Sequence, residues 1–495
     1  MKKHSWKASL IVAMAVLSGC SLEPVYRQPD APVAPAYPSG PAYEQPAVAN
    51  TPAAADIGWR DFLSDPRLQR LVEIALANNR DLRVAALNVE EARAQWRIQR
   101  AAQLPQVGLQ AAGSASHTPA SLSASGQATT KHEYTLGASA SWEIDFFGRV
   151  QSLKDQALQE YLASAQARKA FEIVLVSQVA NEYLTLLSCD DLLAVTQHTL
   201  DTAQAAYKLT EQQFQVGTTT ELAVRQSQSV VEQANANHSA QLRARAQAQN
   251  ALVLLIGQPL PADLPPGRPL QEQSIVSDIP AGLPSELLTR RPDVMEAEAQ
   301  LRAANASIGA ARAAFFPSVS LTGVLGTASV ALGGLLHGGG SIWSFQPSIT
   351  QPIFKGGALQ ADLDVAKLEK DVRIAQYEKA IQLAFSEVAD GLAARGTYEE
   401  EVTSLERLVQ SQQRALDIAH AQFATGVADY LAVLTAQNGL YAAQLSLVSL
   451  RLDRLTNLVD LYRYLGGGWI EHTGDAPRVA DAVDASGPGT PPRPR

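Results

Sequence analysis

The chain has 495 residues, of which only 18% are charged, and its 40 Lys and Arg against 49 Asp and Glu give a net charge of −9. Binding phosphates needs clustered Lys and Arg, so nucleic acid is excluded as a partner. Two cysteines exclude a disulfide-stapled scaffold, and Cys189, among Leu186, Leu187, Leu192 and Leu193 on a helical pattern, reads as a small core residue.

Residues 1–19 read as a secretory leader. Lys2, Lys3 and Lys7 precede an apolar run, Ala8 to Leu17, that is too short to span a bilayer, and Leu17-Ser18-Gly19-Cys20 closes it. That closing tetrapeptide resembles a bacterial lipobox, in which Cys20 becomes the lipidated first residue. The alternative is an unmodified cysteine beside an ordinary cleavage site. By the same resemblance Ser21, which is not Asp, favours the outer membrane, and acyl chains at about 0.8 kcal/mol per buried methylene would anchor the chain firmly. Residues 20–64 are rich in Pro and Ala and read as an extended strap with no core-forming pattern.

A helix starts at Asp65-Pro66, an N-cap followed by Pro in the first turn, and is expected to run to about Gln103. Beyond Pro105 the period changes to alternation: Val107, Leu109 and Ala111, then, after a Ser/Gly-rich loop from His117 to Lys131, Tyr134, Leu136, Ala138, Ala140 and Trp142. This is a strand, loop, strand unit. Val319 to Gly323 and Ile342 to Phe354, around a Gly-rich loop at 333–340, form a second one. Two isolated hairpins leave open edges, so something must complete them. The pattern fits either a membrane β-barrel assembled from several chains or a small soluble β-subdomain packed on helices.

A long helical segment follows each hairpin, roughly Gly148 to Phe214 and Gly357 to Phe423, and each would reach about 100 Å if continuous. Leu405, Val409, Gln412, Leu416, Ala419 and Phe423 follow heptad steps, as do Tyr441, Leu445, Val448, Leu452, Leu455 and Val459, which predicts paired helices. Val216-Gly217-Thr218 and Thr425-Gly426-Val427 each place a Gly where a helical hairpin reverses. They read either as plain corners or as contact points, at the far end from the strands. No catalytic constellation is present: the eight histidines are scattered and no phosphate loop or nucleophile elbow occurs. Asp190 and Asp191 are expected to sit solvated on a helix surface.

The chain is also written twice. Asn79 to Val107 aligns without a gap against Arg291 to Val319, and Gln213 to Gly217 and Leu252 to Gly257 match Gln422 to Gly426 and Leu461 to Gly466. The period far exceeds that of a solenoid repeat, so this is a duplicated half-molecule. The expected domains are a first repeat at 65–257, a linker at 258–284, a second repeat at 285–468 and a disordered tail at 469–495.

Several motifs in fixed order carry a resemblance. Leu17 to Cys20, Trp59-Arg60-Asp61-Phe62, Asn79-Arg80-Asp81-Leu82, Trp142-Glu143-Ile144-Asp145-Phe146-Phe147-Gly148-Arg149, Arg290-Arg291-Pro292-Asp293-Val294 and Ala314-Phe315-Phe316-Pro317 resemble the outer-membrane channels of tripartite multidrug efflux pumps. This is the OprM-like lipoprotein branch of the TolC superfamily. The resemblance implies a mainly α protomer with a small β part. As a homotrimer it would give a 12-stranded outer-membrane β-barrel continued by a long periplasmic α-helical barrel. It further implies an inner-membrane resistance-nodulation-division (RND) antiporter and a periplasmic adaptor as partners, with no cofactor and no enzymatic step. The tip motifs Val216-Gly217-Thr218 and Thr425-Gly426-Val427 would be touched by the adaptor. Asp429, Tyr430 and Leu431, with Glu221 parallel to Tyr430, would form the periplasmic gate. Thr435 departs from the acidic residue many relatives carry, so Asp429 is the main candidate for a charged ring. A conduit for secreted proteins or metal ions, or a pore-less coiled-coil scaffold, are the alternatives.

Overall fold

The computed structural model describes residues 21–43, 52–276, 279–335 and 340–475. The leader and Cys20 lie outside them, as do residues 336–339 of the Gly-rich loop and the tail from residue 476. Two compact units form. Asn88–Ser164 and Glu296–Glu378, with the N-terminal residues through Asp30, make one; Ala31–Leu87, Ala165–Met295 and the chain from Lys379 onward make the other.

The expected first helix is two. Helix α1 (Pro66–Asn78) ends at Asn79, and α2 (Arg80–Ala101) starts directly after it. Asn79 is extended at ψ 131°, and its Oδ1 accepts from the Leu82 amide at 2.8 Å, so one side chain stops one helix and caps the next. Strands β1 (Gln106–Thr118) and β2 (Thr129–Ile144) follow, then α3 (Arg149–Gln215) and α4 (Glu221–Ile256). The second copy repeats the series with α5 (Pro292–Ala313), β3 (Ser318–Ser329), β4 (Ser341–Thr350), α6 (Ala358–Ala424) and α7 (Tyr430–Tyr464). Helices α3 and α6 each run 67 residues without a break.

In the first unit the four strands form one antiparallel sheet in the order β1-β2-β3-β4. The two expected hairpins are therefore joined, because β2 pairs with β3 from Tyr134↔Ser329 to Ile144↔Val319. The elbow from β2 into α3 explains the motif around Trp142. Arg149 grips Glu143 with two bonds of 2.9 and 2.6 Å, and Asp145 accepts from the Gln151 amide at 2.7 Å inside the first turn of α3. Trp142 Nε1 donates to the Gln103 carbonyl at 3.1 Å, and Phe147 stacks on Phe316 at 4.8 Å.

The second unit holds the thickest core, with Leu68, Leu71, Val72, Tyr183, Leu252 and Ile256 fully buried. Strap residues contribute to it, against expectation, and the first residues of the expected tail pair with them. Trp59 and Phe62 are each 1% exposed, and Phe62 stacks on Tyr462 at 3.9 Å. The Trp59 and Arg60 amides donate to the carbonyls of Ile470 and Glu471 at 2.9 and 3.1 Å, so the chain past Gly468 stays paired at least this far. Asp190 and Asp191 also differ from expectation. Arg245 of α4 pairs with Asp190, and burial pushes the Asp191 carboxyl up. Cys189 is buried, which raises its thiol pKa.

Equivalent positions of the two copies make the same closure. Asn79 Nδ2 donates to the Leu255 carbonyl at 2.9 Å, and Arg291, the residue aligned with Asn79, donates to the Tyr464 carbonyl at 3.1 Å. Each bond ties the last helix of a copy back to the residue just before α2 or α5. Gly257 and Gly466 follow these last helices at φ +70° and +84°, and a Cβ there would lie 2.4 Å from the Asn78 oxygen and 2.6 Å from the Arg290 oxygen. Replacing Gly257 by Ala therefore adds a backbone clash to left-handed strain and should cost about 2 kcal/mol or more.

Asp65 is the most deeply buried carboxylate among the described residues. It is 1% exposed and accepts four bonds, from the Arg67 amide (2.8 Å), the Tyr183 hydroxyl (3.0 Å), Gln273 Nε2 (2.7 Å) and the Arg268 amide (3.1 Å). Burial alone would raise this carboxyl, but the hydrogen bonds outweigh it and hold it below the usual carboxylate range. A depressed folded pKa gives stability that is fully present above the unfolded value of about 3.9 and is lost as pH falls through the folded one. Asp65→Asn keeps one acceptor and in either amide orientation turns its nitrogen toward at least one of these donors. It should lower unfolding free energy by about 2 to 3 kcal/mol at neutral pH in denaturant titrations, with the difference shrinking in acid.

Candidate functional site: the sheet faces and the hairpin tips

Register sorts the strands into two unlike faces. Rows across the sheet read Val107↔Ala140↔Gly323↔Phe345 and Leu109↔Ala138↔Leu325↔Trp343, with Trp142↔Leu321↔Pro347 and Ile144↔Val319↔Ile349 beside them. The alternate rows read Gln106↔Ser141↔Thr322↔Gln346 and Gly108↔Ser139↔Val324↔Ser344. One face is apolar and aromatic and the other is small and polar, because strand side chains alternate with period two. Among the described residues nothing covers the apolar side: Leu109 is 86% exposed, Trp343 78% and Ile349 72%. Strands β1 and β4 each have a neighbour on one side only. A bare apolar face with bare polar edges suits lipid on the face and further strands at the edges.

The helical hairpins α3–α4 and α6–α7 meet at matched turns in the second unit. Gly217 and Gly426 take φ +78° and +73°. The Gly217 amide donates to the Phe214 carbonyl and the Thr218 amide to that of Gln213, both at 2.9 Å; Gly426 to Phe423 and Val427 to Gln422 repeat the pair at 3.1 and 2.9 Å. These are Schellman closures that satisfy the last helical carbonyls. Thr220 and Asp429 then cap α4 and α7, accepting from the Ala223 amide at 3.3 Å and the Ala432 amide at 3.2 Å. Both turns leave apolar side chains bare, with Val216 at 73% and Val427 at 76% exposed, on opposite sides of their glycines.

The residues expected at the gate differ in burial and in partners. Asp429 is exposed, and its carboxylate serves the helix cap. Leu431 is exposed as well, while Glu221 pairs with Arg225 at 3.3 Å one turn along α4. Tyr430 points inward: it is buried with Leu416, Val433 and Leu434, lies 5.3 Å from the Phe423 ring, and burial raises its pKa. Phe214, aligned with Phe423, has only Glu221 at the position of Tyr430 and stays exposed. Thr435 donates to the Leu431 carbonyl at 2.9 Å. Leu222, exposed and aligned with Leu431, was not among the expected residues, and the repeat offset alone would have found it.

The helices behind the tips are paired as the heptads predict. Val402, Leu447 and Leu450 pack with Leu405 and Val409, and Leu200, Ala203 and Ala234 with Val230. The α7 seam toward α6 runs through Val433, Leu440, Leu447 and Leu450, whereas Tyr441 and Leu445, assigned to it by spacing, are half-buried.

The profile of the outer membrane efflux protein family matches residues 71–258 and 283–467. The antibiotic efflux pump outer membrane protein ArpC of Pseudomonas putida is 47% identical over 482 residues, covering 97% of this chain and 99% of that protein. The toluene efflux pump outer membrane protein TtgC of Pseudomonas putida matches to the same extent, 47% over 482 residues and the same shares of both chains. The open state of the MtrE outer membrane channel of Neisseria gonorrhoeae superposes with a TM-score of 0.82 at 39% identity, over 92% of this chain and all of that one. A profile spanning both halves, together with relatives of this similarity along nearly the whole length, places the chain in the outer membrane efflux protein family, as the outer-membrane component of an efflux pump.

Proposed function

We propose that the protein is a passive exit duct, three copies of which close a 12-stranded barrel in the outer membrane and continue it as a helical barrel through the periplasm. The carrying observation is the four-stranded sheet with one uncovered apolar face and two unpaired edges. In hydrocarbon an unpaired strand edge costs several kcal/mol per polar group, so strands must close on one another. The polar face of small residues then lines the lumen, and the apolar face with Trp343 and Phe345 meets lipid. A lipid on Cys20 adds a second membrane attachment.

Substrates, antibiotics or solvents such as those in the relatives' names, enter from an inner-membrane RND antiporter through a periplasmic adaptor. The adaptor packs on Val216, Gly217, Thr218, Thr425, Gly426 and Val427. The gate lies just inside, with Asp429, Leu431 and Glu221 as its exposed side chains and Tyr430 as the buried wedge that holds α7 against α6. The duct supplies a path and a gate and performs no chemical step.

Reconstituted trimers should conduct ions across planar bilayers, and well-folded trimers without conductance would refute the pore. A Cβ at Gly217 or Gly426 meets nothing within 4 Å in the chain. Gly→Ala at either site then costs only the left-handed strain of about 1 to 2 kcal/mol. In a deletion strain these variants should assemble yet restore less drug resistance than wild type; full resistance from both would remove the tip from adaptor contact. Asp429 has two roles that one pair of variants separates. Asn caps a helix about as well as Asp, whereas Ala loses about 1 kcal/mol. Asp429→Asn should therefore reduce cation selectivity while keeping the tip closed. If only Asp429→Ala changed conductance, the carboxylate would be a cap alone.

A further inference from the structure

We propose that α5 carries a receptor slot for the chain's own N-terminal segment, present in the second copy only, which pins that segment where the chain turns into β3. The slot and its occupant both lie in the sheet-bearing unit.

Asn305 is its centre. The side chain is fully buried, donates to Glu23 Oε1 at 3.0 Å and to the Pro24 carbonyl at 2.8 Å, and accepts from Lys370 Nζ of α6 at 2.8 Å. With its oxygen held by Lys370, the amide can aim its hydrogens only at the strap. One turn on, Gly309 makes room: a Cβ there would lie 3.0 Å from Glu23 Cα and 2.5 Å from Ser152 Oγ. Arg312 then donates to the Leu22 carbonyl at 3.1 Å. Upstream on α5, the Arg302 guanidinium sits 4.9 Å over the Tyr26 ring, and Tyr26 donates to Glu298 at 3.2 Å. Gln28 closes the run by donating to the Tyr377 hydroxyl at 2.8 Å.

The comparison within the chain shows that this is a feature of one copy. In the gapless alignment of Asn79–Val107 with Arg291–Val319, Asn305 matches Arg93 and Gly309 matches Arg97. On α2 two long cationic side chains, Arg97 exposed and Arg93 near Glu90, stand where α5 has a buried amide and a glycine, so the residues that receive the strap occur in the second copy and not in the first. Arg312, the last contact, closes α5 just before β3. Covalent reach keeps anything attached two residues before Leu22 within about 7 Å of it. A lipid on Cys20 would thus be tethered at the level where the strands begin. That consequence rests on the anchor reading above; the slot does not.

The test uses the full-length trimer in detergent and trypsin cleavage after Arg27, which is exposed within the docked segment. Cleavage requires undocking, so its rate follows the open population. Removing two or three of these bonds should speed it by about tenfold or more. Asn305→Ala and Gly309→Val test the slot. Glu23→Ala with Tyr26→Ala tests the occupant and leaves α5 unchanged, so it decides the matter if Gly309→Val fails to assemble. Faster loss of the N-terminal fragment in both sets, with intact trimers, is the expected result. Wild-type cleavage rates in the strap double variant would overturn the proposal. The readout needs neither conductance nor lipid, so a failed slot and a failed duct give different outcomes.

Discussion

The unpaired edges of β1 and β4 constrain everything else. A protomer contributes strands in sequence order, each hydrogen-bonded to the next, yet the outer two present a full row of amides and carbonyls to nothing. In water such edges invite aggregation, and in lipid they are untenable. Closure by further copies removes both problems. Bare apolar residues along α2 and α6, such as Leu87, Ile98, Val365 and Leu368, are the helical counterpart of the bare strand edges.

Duplication gives this assembly twice as many similar units as chains, and the shared parts are those that hold each unit together. The bond from position 79 to the 255 carbonyl recurs from 291 to 464 with a different side chain, because what matters is a donor reaching the C-terminal carbonyls of the last helix. The Schellman turns at Gly217 and Gly426 recur bond for bond.

The copies diverge at the hairpin tips and at the strap. Tyr430 closes the second hairpin over Phe423, while Glu221 leaves Phe214 bare, so the two tips present unlike surfaces. Asn305 and Gly309 stand where the first copy has two arginines, and there the strap lies.

Much of this was legible in the residues. Period two gave the strands, heptad steps the long helices, Gly between helical runs the tips, and internal similarity the two halves, since each depends on local geometry that a short stretch dictates by itself. The break at Asn79 was hidden, because Asn inside a helical period looks tolerable until its amide is seen capping one helix and bonding Leu255 of another. The joining of the two hairpins, the pairing of 58–60 with the chain after Gly468 and the inward turn of Tyr430 were hidden for a like reason. Each is a contact between segments far apart in sequence, and partner choice at that range is set by which buried donors and acceptors must be satisfied at once. The sequence by itself determined most of the elements and their repeat, and its motifs carried the family resemblance that implied the assembly. Only the tertiary structure decided which side chains face out, which carboxylates are spent on caps, and where the N-terminal strap is held, because those follow from packing and hydrogen-bond closure among residues that no spacing rule connects.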